Sequence, residues 1–546
     1  MLALSSFEGF YGSQFALDPS GRYLAFSVQT GAASAPRFGV PFLVGAERGK
    51  LHLLDLQLGD VRLVPSPQGL GLFSPVFSPD GARISLAVTD GRFVRPCVFD
   101  LDTQSIRVLT DRNLALRAHR PPTGWLNERE IGCELLPEGQ TPLGIEAEFR
   151  GVNAAVAALQ SAQAGQDVTA SVLSDRMESP RSAEGELAQI NASSSSLQSF
   201  PDAEKAPTSL QSFARRERVV YPPPVDKNGA QIVLADKQSG QEVLVERVND
   251  ATRVLIGGGA ARRTVFETDR HLKEVCPGSI HSFVFETRSG HRAFANVIQP
   301  PVRREGDPNP GLVWLYPGAD VPEGGGEQDR LNSFRFINLQ LLAARGITVI
   351  RPSVPIENEA ADKRPMVDQV CDAVLPAIEA AVQNGYVDPD QLHVGGHSLG
   401  GWAALALLAE TDRFRSGIAI SAASNLISLH GVCDPRDRYA EEPHFNSDLC
   451  ERNWQLPGPP WRHLEAYVRN SPLFSVERIK APLLLIHGDL DYCPIEQSET
   501  MFAALRDRKQ RVEFVRYFGE GHVPSSPANI RDLIERMIRW LKIHSV

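Results

Sequence analysis

Gly395-Gly396-His397-Ser398-Leu399-Gly400-Gly401 sets a serine hydroxyl among glycines, after the apolar run 391–395 and before the helix-forming stretch Trp402-Ala-Ala-Leu-Ala-Leu-Leu-Ala409. Gly-x-Ser-x-Gly between a strand and a helix is the pattern that exposes a serine as the nucleophile of acyl transfer. The turn is so sharp that side chains at 396 and 400 would collide with neighbouring backbone, hence the glycines. The helix start beneath the serine favours negative charge on an oxyanion. A serine hydroxyl needs a base, and the base needs an acid to orient it. Two later loops supply both types: His487-Gly-Asp489-Leu-Asp491-Tyr-Cys-Pro494 follows the run 482–486, and Gly519-Glu-Gly-His522-Val523 follows 511–518. His522 is the candidate base. Asp489 and Asp491 compete for the acid, and spacing alone favours neither. His393 and His397 read as structural, the first within a strand and the second on the turn before Ser398.

These groups need a scaffold that brings distant loops together. From about residue 281 short apolar runs (311–316, 347–350, 392–395, 417–420, 482–486 and 512–515) alternate with helical stretches at 331–345, 366–385, 398–410, 496–508 and 526–543. Continuous apolar strands separated by helices imply a mostly parallel, doubly wound sheet covered on both faces. Both candidate loops then lie at carboxyl ends of strands, where sites form in such sheets.

The first 280 residues are different in kind. Phe15-Ala-Leu-Asp-Pro-Ser-Gly-Arg-Tyr-Leu-Ala-Phe26 recurs as Phe77-Ser-Pro-Asp-Gly-Ala-Arg-Ile-Ser-Leu-Ala87, two apolar runs about a Pro/Gly turn. Leu51-His-Leu-Leu-Asp-Leu56, Val98-Phe-Asp-Leu-Asp-Thr103 and Ile232-Val-Leu-Ala-Asp-Lys-Gln-Ser-Gly240 are strands ending in polar turns. The interval from Asp55 to Asp100, 45 residues, is the size of a propeller blade, whereas Gly21 to Gly81, 60 residues, requires an insertion. An all-β, propeller-like domain over 1–280 is expected, with room for about five blades. Residues 178–216 are rich in Ser, Ala, Gln, Glu and Pro and repeat Ser-Leu-Gln-Ser-Phe at 196–200 and 209–213. Such composition offers little apolar area against the entropy of ordering, so this insertion is expected to be disordered.

The region 281–546 resembles the catalytic domain of the prolyl oligopeptidase family of serine peptidases, within the α/β-hydrolases. The resemblance is carried by 384–401 with its Gly-Gly-His-Ser, by Ser471-Pro-Leu-Phe474, His487-Gly-x-x-Asp491 and Glu520-Gly-His522. With Val354-Pro-Ile356 it points to the bacterial acylaminoacyl- and glutamyl-peptidase-like branches. The resemblance implies Ser398, Asp491 and His522 as a catalytic triad. It also implies Tyr316, in Tyr316-Pro317-Gly318, as an oxyanion donor beside the backbone N–H of Leu399. The paired glutamates of dipeptidyl-peptidase relatives have no counterpart that can be assigned.

Charge and composition narrow the alternatives. With 56 basic and 66 acidic residues the formal charge is −10, the wrong sign for an electrostatic binder of nucleic acid or anionic membrane. No apolar run is long enough to span a bilayer, and the N-terminus carries no signal-peptide pattern. Seven scattered cysteines without a Cys-x-x-Cys pair give no zinc site and fit a reducing cytoplasm. No metal or other cofactor is expected. The expected activity is peptide-bond hydrolysis on short peptides through an acyl-enzyme, of acylaminoacyl- or oligopeptidase-like type, with homo-oligomerisation left open. A carboxylesterase with the same triad is the alternative, and a non-catalytic propeller scaffold a third reading.

Overall fold

The computed structural model describes residues 7, 11–31, 46–67, 70–142, 155–165, 169–170, 185–215, 220, 223–226, 229–235, 240–248, 251–257, 262–302, 310–333, 336–357, 364–434 and 446–545. They fall into two units, one from 1–150 and 172–273 and the other from 151–171 and 274–546. The change of unit thus comes before residue 281, and part of 151–171 groups with the second unit rather than the first.

Four antiparallel sheets of four strands make up the first unit among the described residues, each a meander in chain order. The first contains β1 (Phe15–Leu17), β2 (Tyr23–Gln29), β3 (Gly49–Asp55) and β4 (Asp60–Leu63); the second β5 (Gly71–Phe77), β6 (Arg83–Thr89), β7 (Val94–Asp100) and β8 (Ser105–Val108). The third contains β9 (Thr123–Trp125), β10 (Glu130–Leu135), β11 (Glu186–Asn191) and β12 (Leu197–Phe200); the fourth β13 (Gln231–Ala235), β14 (Glu242–Val248), β15 (Ala251–Ile256) and β16 (Arg263–Thr268). Apolar faces join the sheets in series. Leu51 and Leu53 of the first pack with Leu72, Ile84 and Leu86 of the second. Phe73 and Val98 of the second pack with Ile131 and Ile190 of the third. Phe15 and Phe26 of the first pack with Val243 and Val254 of the fourth. Phe15, Phe77, Trp125 and Leu234, one from the opening strand of each sheet, line a common channel of about 530 Å³. Sheets that radiate from a shared channel, each starting at its innermost strand, form a propeller.

The uneven hairpin spacing has a simple source. Nineteen residues separate β2 from β3 but four separate β6 from β7, and this difference of fifteen is the difference between the 60- and 45-residue intervals. The turns themselves match: Gly21 N–H donates to Asp18 O and Gly81 N–H to Ser78 O, both at 2.9 Å. Ile232 departs from expectation. It lies in an opening strand, whereas Leu51 and Val98 lie in third strands.

The expected disorder of 178–216 is overturned for its described part, 185–215. Residues 186–191 pair with 130–135 along the whole of β10, and Leu197–Phe200 pair with β11. A helix at Thr208–Ala214 sets Leu210 against Leu187 and Ala206. The segment is polar in total, yet Leu187, Ala188, Ile190, Ala192, Ala206 and Leu210 are all buried, so burial is sufficient where average composition suggested otherwise.

In the second unit eight strands form one sheet in the order β17-β18-β20-β19-β21-β22-β23-β24. They are β17 (Ser279–Glu286), β18 (Arg292–Gln299), β19 (Gly311–Trp314), β20 (Thr348–Pro352), β21 (Leu392–His397), β22 (Ser416–Ile420), β23 (Leu483–Gly488) and β24 (Val512–Tyr517). β17, β18 and β20 pair antiparallel, and every pairing from β20 onward is parallel. β20, β22 and β23 are buried at every position, as strands covered on both faces must be. One core packs Val394 and Ala419 against helices Met366–Gln383 and Leu399–Glu410; the other packs Ile418 and Leu484 against helix Pro527–Ile543. The helix expected over 331–345 shortens to Leu339–Ala343, capped by Asn338, whose side chain accepts from Gln340 N–H. Among the described residues no helix is long and apolar enough to cross a membrane.

Candidate active site

Adjacent strands deliver Tyr316 and Ser398 to one place, since β19 and β21 pair with Trp314 opposite Gly395. Ser398 stands between β21 and the helix Leu399–Glu410 with φ 60° and ψ −125°, a left-handed conformation that is strained for a residue with a side chain. Its N–H donates to Ile420 O at 2.8 Å, which fixes the turn to β22. A side chain on Gly396 would run into the Gly400 backbone, and one on Gly400 into the Leu315 carbonyl. Leu399 is the first residue of the helix, so its N–H has no intrahelical acceptor.

The two later loops converge on this turn. His522 Nε2 lies 2.8 Å from Ser398 Oγ, and His522 Nδ1 lies 2.8 and 3.0 Å from the two Asp491 oxygens. Asp491 is 0% exposed. Burial alone would raise its carboxyl, but the charge of His522 and hydrogen bonds from His487 and His522 outweigh burial and hold it well below the ordinary carboxylate range. Asp489 stands apart, accepting the Gly519 N–H at 2.6 Å and so tying its own loop to the one that carries His522.

Tyr316, 47% exposed, follows β19 in a turn closed by Ala319 N–H donating to Tyr316 O at 3.0 Å. Pro317 and Gly318 (φ 81°) occupy the two central positions, as a type II turn requires. Tyr316, Ser398, His522 and Tyr492 line a cavity of about 640 Å³ with Phe336 and Arg351. Arg351 is anchored on the buried carboxylate of Asp329. Among the described residues no cluster of His, Cys, Asp and Glu is placed to hold a metal ion.

Sequence reasoning missed several supporting groups. Tyr492 packs against the His522 ring at 4.3 Å between centroids with the planes tilted by 36°, and burial pushes its phenol up. His487 reaches Asp491 Oδ2 at 3.2 Å and Cys493 O at 2.8 Å; a carbonyl accepts only, so Nε2 carries the proton. Glu520 accepts from Ser525 N–H (2.8 Å), Ser526 N–H (3.0 Å) and Asn529 Nδ2 (2.6 Å), closing the loop that carries His522. The available signal was position: each lies within two residues of a triad candidate or, for His487, at the head of its motif.

One buried and one partly buried histidine, His393 and His397, give a pH expectation. His393 bonds Ser416 Oγ and Ser545 Oγ at 2.8 and 2.9 Å, and burial lowers it to about 3; burial and the charge of His522 likewise lower His397 to about 3. Below the unfolded value of about 6.5 the unfolded chain binds protons that the native chain refuses, so stability falls with falling pH by roughly 1.4 kcal/mol per unit per histidine until about pH 3. Denaturant unfolding from about pH 6 to 4 checks this, with His393→Gln expected to flatten the slope by about one proton. An unchanged slope in that variant would remove His393 from the account.

Residues 332–545 match the Prolyl oligopeptidase family. The uncharacterized peptidase YuxL of Bacillus subtilis is 32% identical over 168 residues, which cover 30% of this chain and 24% of that protein. A probable chloroplastic glutamyl endopeptidase of Oryza sativa subsp. japonica is 29% identical over 274 residues, 47% of this chain and 27% of that protein. The chain thus spans about a quarter of the length of these relatives, 24% and 27%. An acylaminoacyl peptidase of Pyrococcus horikoshii superposes over 98% of this chain and 94% of its own with TM-score 0.58 at 14% identity, a likeness of fold. Propeller-like sheets followed by an α/β-hydrolase sheet are therefore the architecture of this protein, and its C-terminal half carries a prolyl oligopeptidase family domain.

Proposed function

We propose that the protein is a serine peptidase that cleaves peptide bonds of short peptides through an acyl-enzyme. The observation that carries this reading is the continuous hydrogen-bond chain from Ser398 Oγ through His522 to Asp491 at the wall of an open cavity. Ser398 Oγ attacks the acyl carbon while His522 Nε2 takes its proton and then delivers it to the leaving amine. Asp491 fixes the imidazole tautomer and stabilises its cation. Water, activated by the same imidazole, releases the acyl group. Tyr316 Oη and the Leu399 N–H hold the oxyanion. Relatives named glutamyl endopeptidase and acylaminoacyl peptidase support blocked or acidic peptides as the first substrates to try. Among the described residues no disulfide joins any of the seven cysteines, which suits a reducing compartment such as the cytoplasm.

Fluorophosphonate labelling followed by peptide mapping tests the nucleophile, and a panel of acylated and free aminoacyl amides beside simple esters tests the reaction. Labelling at Ser398 with turnover of amides supports the proposal; turnover of esters alone would replace it with a carboxylesterase. Tyr316→Phe is expected to lower kcat by roughly 10²-fold with KM little changed, because the phenol acts only on the oxyanion. A kcat within about twofold of the parent would remove Tyr316 from the oxyanion site.

A further inference from the structure

His397 stands immediately before the nucleophile, and the function above leaves it unused. Its ring lies between Phe336 (4.8 Å, 76°) and His522 (4.7 Å, 49°). Its Nε2 is 2.7 Å from the main-chain oxygen of His522, and Ser421 Oγ donates to the same oxygen at 3.3 Å. We propose that His397, seconded by Ser421, is a positioning residue that clamps the main chain of the base to the nucleophile turn. The inference rests on the proposed roles of Ser398 and His522.

The chemistry of the bond is unambiguous. A carbonyl only accepts, so the His397 proton sits on Nε2. The bond goes to the backbone of His522 and leaves both of its ring nitrogens for Ser398 and Asp491. Burial keeps the His397 ring neutral. A second imidazolium against His522 would oppose the positive charge that the base must take up. The bonds to Glu520 fasten 525–529, whereas the pair of bonds to the His522 carbonyl fasten the base itself. Each donor is rigid. His397 is set by the strained turn at Ser398. Ser421, 2% exposed with φ 50°, is tied through its N–H to Ile486 O at 2.8 Å. An ångström of drift at a reacting group can cost about two orders of magnitude in rate, so a clamp here acts on turnover rather than on binding.

The test compares His397→Phe, which keeps a ring but loses the donor, with His397→Gln, which keeps an N–H. The clamp predicts kcat lowered about tenfold or more in the Phe variant with KM within about twofold, and recovery to within about threefold of the parent in the Gln variant. A Phe variant with parental kcat overturns it. So does a folded Gln variant as slow as Phe, since the ring and not the donor would then matter. If His397→Phe does not fold, Ser421→Ala decides: a fall in kcat at constant KM supports the clamp, and an unchanged kcat overturns it. Fluorophosphonate labelling of Ser398→Ala runs alongside. Labelling that survives that variant would sink the proposed nucleophile itself, an outcome separate from any result at His397.

Discussion

Ser398→Ala is expected to lower kcat by about 10⁴-fold or more and to abolish fluorophosphonate labelling, with His522→Ala equally damaging to turnover. The size follows from the geometry. Ser398 Oγ and His522 Nε2 are already at 2.8 Å, so no rearrangement of protein groups separates this arrangement from proton transfer. The acid offers a sharper comparison. Asp491 presents both oxygens to His522 Nδ1 at 2.8 and 3.0 Å and is held ionised, so an amide there would favour the wrong tautomer and cost about 10²–10⁴-fold. Among the described residues Asp489 accepts only the Gly519 N–H, an interaction that an asparagine oxygen can keep, so Asp489→Asn should cost less than about tenfold. Steady-state kinetics of the four variants check the set. If Asp489→Asn proved the slower of the two acids, the assignment of Asp491 would be wrong.

How much of this site could be read from sequence depends on what each residue touches. Ser398, His522 and the elbow glycines are legible because the chemistry or the close backbone approach restricts residue type, whereas Asp491 is separated from Asp489 only by the family resemblance. The clamp was not legible. His397 bonds a main-chain oxygen, and backbone acceptors leave no trace in composition. Tyr492 has a similar history, since its ring contact with His522 arises from a loop packing that no periodicity encodes. In the propeller, hairpin turns were legible through Asp, Pro and Gly, but a strand's radial place was not. A third strand such as Gly49–Asp55 and an opening strand such as Gln231–Ala235 end in the same polar turn signal. The pentapeptide Ser-Leu-Gln-Ser-Phe makes the point within one segment. At 197–200 it is the edge strand β12, with Leu197 exposed; at 209–213 it is helical, with Leu210 and Phe213 three apart on the face that meets Gly132. Pairing with β11 decides the first and a proline at the helix start the second.

Deletion of 186–214 is accordingly expected to prevent folding of the first unit, where composition alone would forecast a neutral loop trim. The segment contributes two of the four strands of the third sheet, so its loss would leave β10 with β9 alone. β11 carries the Ile190 side chain into the core shared with the second sheet, while Leu187 and Leu210 close the opposite face. Three buried aliphatic side chains at roughly 1.5–3 kcal/mol each come to about 5–9 kcal/mol. That is the order of an entire domain's stability, about 5–15 kcal/mol, before the six-residue β10–β11 ladder is considered. Arg112 would also lose the carboxylate of Glu186 at 2.8 Å, and Arg107 its bonds to the carbonyls of Ala192 and Ser193. Circular dichroism and limited proteolysis of the deletion variant would read the outcome, with the intact chain expected to resist cleavage between 186 and 191. A folded deletion variant of parental stability would mean that the third sheet contributes nothing that the first, second and fourth do not already hold.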